Sequence, residues 1–181
     1  MFAPSISATL AEALNRVLVR IRAVEQSGGI DGTALIAMGA ALIATGTRVE
    51  GELVSIAEAT RLKGWGHLLS VDADHRFALY LVSEKPGEAS PPHEHMTWQV
   101  TACLQGEELH RLYQPSDVHR RTARAYSDAM LRRGSYTGML ADEVHSTRVV
   151  SPVPTLSLQV YGRDVAQMPE FSLRTFREES G

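Results

Sequence analysis

The first third of the chain shows the apolar spacing of amphipathic helices. Apolar side chains recur every three or four residues along one helical face: Leu10, Leu14, Val17, Leu18, Ile21 and Val24. Ser7 or Thr9 can cap the start of this helix, and a glycine pair ends it. The same reasoning predicts two further helices, over residues 31–44 and 50–61.

After residue 64 the pattern changes to short apolar or alternating runs that are separated by turn residues. These runs predict strands over 67–71, 77–82, 98–104, 109–113, 136–140, 144–150 and 156–161. Because the strands follow the helices and do not alternate with them, the order favours an antiparallel sandwich or barrel over βαβ units. We interpret the arginine-rich stretch 117–133 as an exposed connection between two halves of the barrel, with a small anion site as the second interpretation.

The length of 181 residues predicts one structural domain, in which a helical segment, 1–62, packs on a barrel, 63–181. Eighteen basic and 21 acidic residues give a net charge of −3, which argues against nucleic acid as a partner. The longest apolar run, 34–45, is shorter than the roughly 20 residues of a bilayer span, so no membrane segment is predicted. A single cysteine, Cys103, and the lack of an export signal predict a reducing, cytoplasmic location.

One pair among the seven histidines has the spacing of metal ligands. His93 and His95 flank Glu94 in a segment that leads into a predicted strand. Because side chains alternate along a strand, both imidazoles point to one face while Glu94 points away. Two imidazoles inside a barrel form half of a metal site. The isolated histidines are interpreted as surface or core residues: His67, His75, His110 and His119.

The spacing around this pair resembles the first sequence motif of the cupin superfamily. Residues 87–106 match G-x5-H-x-H-x3-E-x6-G, except that Gln99 stands in place of the glutamate. A second cupin motif supplies one more histidine, and His145 occupies that position, although the residues around it match poorly. The resemblance implies a mainly β fold: the cupin double-stranded β-helix, or jelly-roll barrel, with the helical segment at its N-terminus.

Within the cupins, residues 62–165 are similar to the bacterial thiol dioxygenases, which include cysteine dioxygenase and 3-mercaptopropionate dioxygenase. The similarity lies in PHEHMTW over 92–98, LQGEE over 104–108 and TLSLQVYG over 155–162. It implies that the chain adds O₂ to a small thiol, cysteine or 3-mercaptopropionate-like, and forms a sulfinate. It also implies one Fe²⁺ ion that is held by three histidines: His93, His95 and His145.

The same family carries a Ser–His–Tyr relay that is directed at the iron, and Ser157, Gln159 and Tyr161 occupy its positions here. The spacing of two places all three on one face of a strand. The amide of Gln159 can donate to one neighbour and accept from the other, so an orienting network is retained. Because an amide does not titrate, we expect Tyr161 to act as a catalytic side chain without help from a basic imidazole.

Contacts with the substrate are assigned to four residues: Trp98, Gln99, His67 and Arg163. The arginine that clamps the substrate carboxylate in cysteine dioxygenase has no counterpart near His67, which argues against free cysteine. The residues that can replace it are His67, Arg61, Arg163 and Arg174. Cys103 lies too far along its strand for the cysteine–tyrosine crosslink of the mammalian-type enzymes, so we interpret it as a small buried hydrophobe.

Other functions stay open as alternatives. Another metallocupin enzyme, a lyase, isomerase or ring-cleaving dioxygenase that acts on a small organic acid, fits the departures at Gln99 and Gln159 and the missing arginine. A non-catalytic binding or sensory cupin is the second alternative, and a barrel with structural histidines is the third. The helical segment either packs on the outside of the barrel or mediates a homodimer.

Overall fold

The computed structural model describes residues 6–60, 66–117, 119, 121–168 and 174–179. Three helices open the chain: α1 (Ala8–Gly28), α2 (Gly32–Arg48) and α3 (Glu50–Thr60). The side chain of Ser7 accepts a hydrogen bond from the backbone N–H of Leu10 and so caps α1. Asp31 caps α2 in the same way through the N–H of Ala34. The three predicted helices are confirmed, apart from Arg61, which lies outside the described residues.

Nine strands follow the helices within the described residues. They are β1 (His67–Ser70), β2 (Arg76–Val82), β3 (Gln99–Gln105), β4 (Glu107–Asp117), β5 (Thr122–Arg132), β6 (Tyr136–Met139), β7 (Val144–Val149), β8 (Leu156–Arg163) and β9 (Arg177–Glu178). Each predicted strand is present, although β4 extends further than expected. All neighbouring strands pair antiparallel, except β5 and β9, which run parallel.

The interpretation of 117–133 as a connection between barrel halves is wrong. Most of this stretch is the long strand β5, which pairs with β4 from Glu107↔Arg132 to Asp117↔Thr122. The side chains of β5 are largely exposed, and only Ala123 and Leu131 are buried. An exposed strand does not need the alternation of apolar residues that reveals a half-buried one, so the apolar pattern gave no strand signal here.

Two sheets face each other and form a jelly-roll barrel. One has the strand order β1-β2-β8-β3-β6 and the other β7-β4-β5-β9. The segment 89–93 joins the second sheet beside β7 through bridges at Ala89↔Arg148 and His93↔His145. From β2 onward the chain alternates between the sheets, with β4 and β5 as one hairpin, and this is the connectivity of a jelly roll. The predicted fold class, a mainly β jelly-roll barrel with an N-terminal helical segment, is confirmed.

The first sheet is covered on both faces, and this decides where the chemistry lies. On its outer face, apolar residues such as Val100, Leu158 and Val160 share one core with Leu18 of α1 and Leu42 of α2. The alternate residues of the same strands point into the barrel, and many of them are polar. The helices therefore bury the outer face, and the inside of the barrel is left for a polar site.

No single helix among the described residues is long and apolar enough to cross a bilayer, whereas α2 and α3 together, bent by 78°, satisfy the criteria of length and composition.

Candidate metal centre and the cavity around it

Three histidines converge at one end of the barrel interior. The backbones of His93 and His145 exchange two hydrogen bonds, of 2.8 and 2.9 Å, so their side chains lie next to each other. His95 is two residues from His93 and points to the same side. The Nε2 atom of His95 lies 3.2 Å from that of His93 and 3.4 Å from that of His145. The predicted convergence of the three imidazoles is thus present in the structure.

The geometry of these nitrogens fits a single metal ion. Donors that bind one ion at about 2.1 Å with tetrahedral or octahedral angles lie roughly 3.0–3.4 Å apart. His93 Nδ1 is 2.8 Å from the carbonyl oxygen of Pro91, so Nδ1 carries the proton and Nε2 offers its lone pair. His145 is 2 % exposed, and its Nδ1 has no hydrogen-bond partner among the described residues.

Burial keeps these imidazoles in the form that binds metals. It lowers the pKa of His93, and it lowers the pKa values of His95 and His145 further, with a contribution from the neighbouring histidines. A neutral imidazole offers a lone pair, whereas the imidazolium cannot coordinate. A site of three neutral imidazoles suits iron, zinc, copper or nickel, so the donor set by itself selects no one metal.

A hydrogen-bonded network of amides and hydroxyls forms the wall next to the histidines. Strand pairing places Gln99 opposite Tyr161 and Thr101 opposite Gln159. The hydroxyl of Tyr161 donates to Gln159 Oε1 at 2.6 Å and accepts from Gln99 Nε2 at 2.9 Å. Gln159 Nε2 donates to Ser157 Oγ at 3.2 Å. The predicted hydrogen bonds of Gln159 to both of its relay neighbours are therefore confirmed.

Tyr161 is fixed close to the metal centre. Its ring meets that of His95 edge to face, with centroids 5.4 Å apart. Burial raises its pKa above the usual value, with further contributions from Tyr80, Glu84 and Glu108, so the phenol keeps its proton. The amide nitrogen of Gln99 lies 3.0 Å from Thr101 Oγ1, 3.0 Å from Gln159 Oε1 and 2.9 Å from the Tyr161 hydroxyl, so it belongs to the same network.

The three histidines and this network line a cavity of about 170 Å³. Of the four residues that were assigned to substrate contacts, Gln99 lines this cavity and the other three lie elsewhere. Trp98 precedes Gln99, so its side chain points to the outer face, where it packs on Phe77 with centroids 6.0 Å apart. His67 pairs with Leu81, a residue of the helix-covered core. Arg163 is exposed at the end of β8.

The structure describes one of the two other arginines that can replace the carboxylate clamp, and it lies outside the cavity. Arg174 binds Glu94 at 2.9 Å, and neither residue lines the cavity. Arg61 lies outside the described residues. Among the residues that the structure describes around the cavity, histidine is the only basic type. Cys103 is buried, as expected, and burial raises the pKa of its thiol to about 11.

The same cavity contains a second polar group that was not predicted from the sequence: Glu84, Glu108 and His110. His110 is 4 % exposed, and its Nε2 lies 2.5 Å from Glu108 Oε1. Burial and the neighbouring Glu108 raise the pKa of Glu84 to about 8, and His110 lowers that of Glu108. The sequence contains one indication of this group: Glu108 and His110 are two residues apart, which puts both on the inner face of β4.

No family model matches the chain, and no curated protein matches it. Solved structures that are similar in part include an oxalate oxidase (18% identity, TM-score 0.41), which covers 49% of this chain and 42% of its own. A cupin superfamily protein from Desulfitobacterium hafniense (18%, TM-score 0.40) covers 55% and 76%, respectively. The DMSP lyase of Ruegeria pomeroyi (20%, TM-score 0.40) covers 52% and 42%.

The chain thus spans less than half the length of the oxalate oxidase and of the lyase. At these levels of similarity the class of protein follows from the chain itself: a jelly-roll barrel with a candidate three-histidine metal site in its interior.

Proposed function

We propose that the chain is an iron-dependent dioxygenase of small thiols. The observation that supports this most directly is the convergence of three buried imidazoles beside a tyrosine that two glutamines hold in place. The reaction is R–SH + O₂ → R–SO₂⁻ + H⁺. Two S–O bonds form and the O–O bond breaks; sulfur loses four electrons and each oxygen atom gains two. The reaction therefore needs no external reductant.

His93, His95 and His145 would hold the ion, through the Nε2 atoms that face one another. A ferrous ion in this position would supply open coordination positions for a thiolate and for dioxygen, and three neutral ligands leave it a positive charge that favours the anionic sulfur. The protein contributes a buried wall that keeps water away from the reacting atoms, with Gln99, Thr101 and Tyr161 each less than one-tenth exposed.

In this proposal Tyr161 directs a proton at the reacting oxygen atoms. Its hydroxyl is the donor in the bond to Gln159, and the bond from Gln99 fixes the position of the phenol oxygen. Rotation about the C–O bond turns the same proton from Gln159 toward the cavity. Because Gln159 does not titrate, it orients this hydroxyl and does not exchange a proton with it.

The experiment is an oxygen-uptake assay with Fe²⁺-loaded protein, a panel of small thiols and ¹⁸O₂. We expect one O₂ consumed per thiol and a sulfinate that carries two ¹⁸O atoms, with zinc-loaded protein as the inactive control. A stoichiometrically iron-loaded protein that consumes no O₂ with any thiol would contradict the proposal.

One observation favours a second candidate function. Glu84 and Glu108 line the cavity next to the candidate metal centre, and burial together with Glu108 raises the pKa of Glu84 to about 8, so one carboxyl group can donate a proton to a substrate and the other can accept one. This arrangement suits a metallocupin lyase or isomerase that acts on a small organic acid. Turnover of a small carboxylic acid without O₂, by protein that carries zinc or manganese, would support this function over thiol oxidation.

A further inference from the structure

The cavity contains a hydrogen-bond acceptor that lacks a donor. His110 Nε2 lies 2.5 Å from Glu108 Oε1, and although the contact does not meet the angular criteria of a hydrogen bond, a proton on Nε2 is what makes it attractive. The proton on Nε2 leaves Nδ1 as the lone-pair nitrogen of the ring. His110 is 4 % exposed, and its Nδ1 has no hydrogen-bond partner in the described part of the chain. A ligand that donates a hydrogen bond would satisfy it.

The wall of the cavity that Glu84, Glu108 and His110 form is acidic. Two carboxyl groups, of Glu84 and Glu108, line it side by side, and burial together with Glu108 raises the pKa of Glu84, so the pair carries one negative charge near neutral pH. Lysine and arginine are absent from the described residues that line the cavity. A substrate carboxylate would meet this charge without a cationic partner, whereas an ammonium group would meet two carboxyl groups.

The size and position of the wall limit the ligand. A cavity of about 170 Å³ is smaller than the roughly 300–1,000 Å³ of ordinary ligand pockets and close to the roughly 150 Å³ that holds a benzene molecule. The rings of His110 and His145 are 5.5 Å apart, so the wall lies beside the candidate metal centre. A chain of two or three carbon atoms is enough to connect a group at the metal with a group at the wall.

We propose that Glu84, Glu108 and His110 bind the ammonium group of the substrate, so that the cavity takes a small aminothiol with no carboxylate. An ammonium group has three donors, and the wall offers it three acceptors: one oxygen of each carboxyl group and His110 Nδ1. When the ammonium group binds, Glu84 releases its proton to solvent, so that both carboxylates accept from the ligand. The inference that the ligand has a thiol group rests on the proposed function, whereas the inference that it has an amine group depends only on Glu84, Glu108 and His110.

The test compares thiols that differ in one group. 2-Aminoethanethiol, 2-mercaptoethanol and 3-mercaptopropionate are titrated into the Fe²⁺-loaded protein without oxygen, and the dissociation constants are measured by calorimetry. We expect the aminothiol to bind at least about tenfold more tightly than either of the others, since a hydrogen-bonded charge is worth that much or more. Equal binding, or tighter binding of the carboxylate, would overturn the proposal without the need for any variant.

Isosteric variants test which side chains cause the preference for the aminothiol. Glu84→Gln and Glu108→Gln should each reduce it by about tenfold. Glu107→Gln is the matched control, because Glu107 is exposed and lies next to Arg132, outside the cavity. A preference that both cavity variants retain would overturn the assignment of the wall.

Oxygen uptake with the same thiols separates this inference from the proposed function. If the aminothiol binds preferentially and no thiol is oxidised, the amine site stands and the dioxygenase assignment fails. If all three thiols are oxidised with equal efficiency and bind equally well, the dioxygenase assignment stands and the amine site fails.

Discussion

At the scale of single residues, the candidate site depends on groups that hold one another in a defined protonation state. The Tyr161 hydroxyl is a donor to Gln159 and an acceptor from Gln99, and Ser157 accepts from the far side of Gln159. Because each of these hydrogen bonds has a defined donor, the phenol oxygen is held in place, and its proton can move only by rotation about the C–O bond. Tyr161 is therefore the residue whose hydroxyl we expect to matter most for turnover.

Tyr161→Phe should lower the turnover number by about one to three orders of magnitude, as removal of a positioned donor commonly does, while the iron content stays unchanged. The measurement is oxygen uptake at saturating thiol together with elemental analysis. Tyr113→Phe is the matched control, because that hydroxyl bonds to Ser146 at 3.1 Å, away from the cavity that holds the histidines. Full activity of the Tyr161 variant would remove the hydroxyl from the mechanism.

The pKa of Glu84 leads to a pH dependence of stability. Burial and the neighbouring Glu108 raise this pKa to about 8, whereas an unfolded glutamate has its usual value of about 4.3. Between these values the folded chain keeps a proton that the unfolded chain has lost. The stabilisation is complete below the lower pKa and declines as the pH rises toward 8, by at most about 1.4 kcal/mol per pH unit.

Glu84→Gln should therefore flatten the decline in the free energy of unfolding between pH 5 and pH 8. Urea unfolding at several pH values, in the presence of a chelator, measures this decline, and Glu58→Gln on an exposed position of α3 is the control. Equal slopes for the wild type and the Glu84 variant would contradict the raised pKa.

Some residues of the candidate site can be predicted from the sequence, because their spacing along one strand is visible, and others cannot, because tertiary packing brings them together. His93 with His95, and Ser157 with Tyr161, stand in patterns whose spacing of two can be seen along the chain. Glu84 follows β2 and Glu108 lies on β4, so the two are far apart in the sequence, and the curvature of the barrel brings them together. Such a contact is set by tertiary packing, so no local spacing indicates it.

At the scale of elements, the packing of α2 on the sheet depends on small residues. A Cβ atom added to Gly39 of α2 would lie 2.1 Å from the ring of Tyr136 on β6. One added to Gly138 on β6 would lie 2.6 Å from the Cβ of Leu35. The helix and the strand thus approach more closely than larger side chains allow, and the helices seal the outer face of the first sheet at this place.

Gly39→Ala should destabilise the fold by about 1–3 kcal/mol, the usual cost of overpacking, although alanine normally favours a helix over glycine by about 1 kcal/mol. Gly51→Ala in α3 is the matched control, since a Cβ at that position meets nothing within 4 Å. The control should be neutral or stabilising. Thermal unfolding of the two variants checks the difference, and equal effects would contradict the close approach.

The strands of the first sheet and the helices were predictable because each has a continuous apolar pattern, on one face or on both. β5 was not, because its side chains are mostly in solvent, and its pairing with β4 comes from the backbone. The pattern of apolar and polar residues reflects which side chains are buried, so it predicts buried strands and helices but not exposed ones.

At the scale of the whole molecule, the helices and the barrel share one apolar core. Leu14, Leu18 and Leu42 of the helices cluster with Leu104 and Leu158 of the first sheet. All five are at most 1 % exposed. Removal of either part would expose apolar surface on the other, so we expect the two parts to unfold together.

The helical circular dichroism signal and the tryptophan fluorescence should therefore give coincident unfolding curves. Leu42→Ala should shift both curves equally, with a loss of about 2–5 kcal/mol, because the substitution leaves a cavity between helix and sheet. Two separate transitions would show that the helical segment is an independent unit.

The candidate metal centre is tested by the metal content of the protein after anaerobic loading with Fe²⁺ and removal of free ions. We expect one ion per chain, and loss of that ion in the variants His95→Ala and His145→Ala. His75→Ala is the control and should keep the ion, because His75 is exposed and contacts Asp164. A wild-type protein that retains no transition metal, or a His145 variant that retains a full equivalent, would contradict the account.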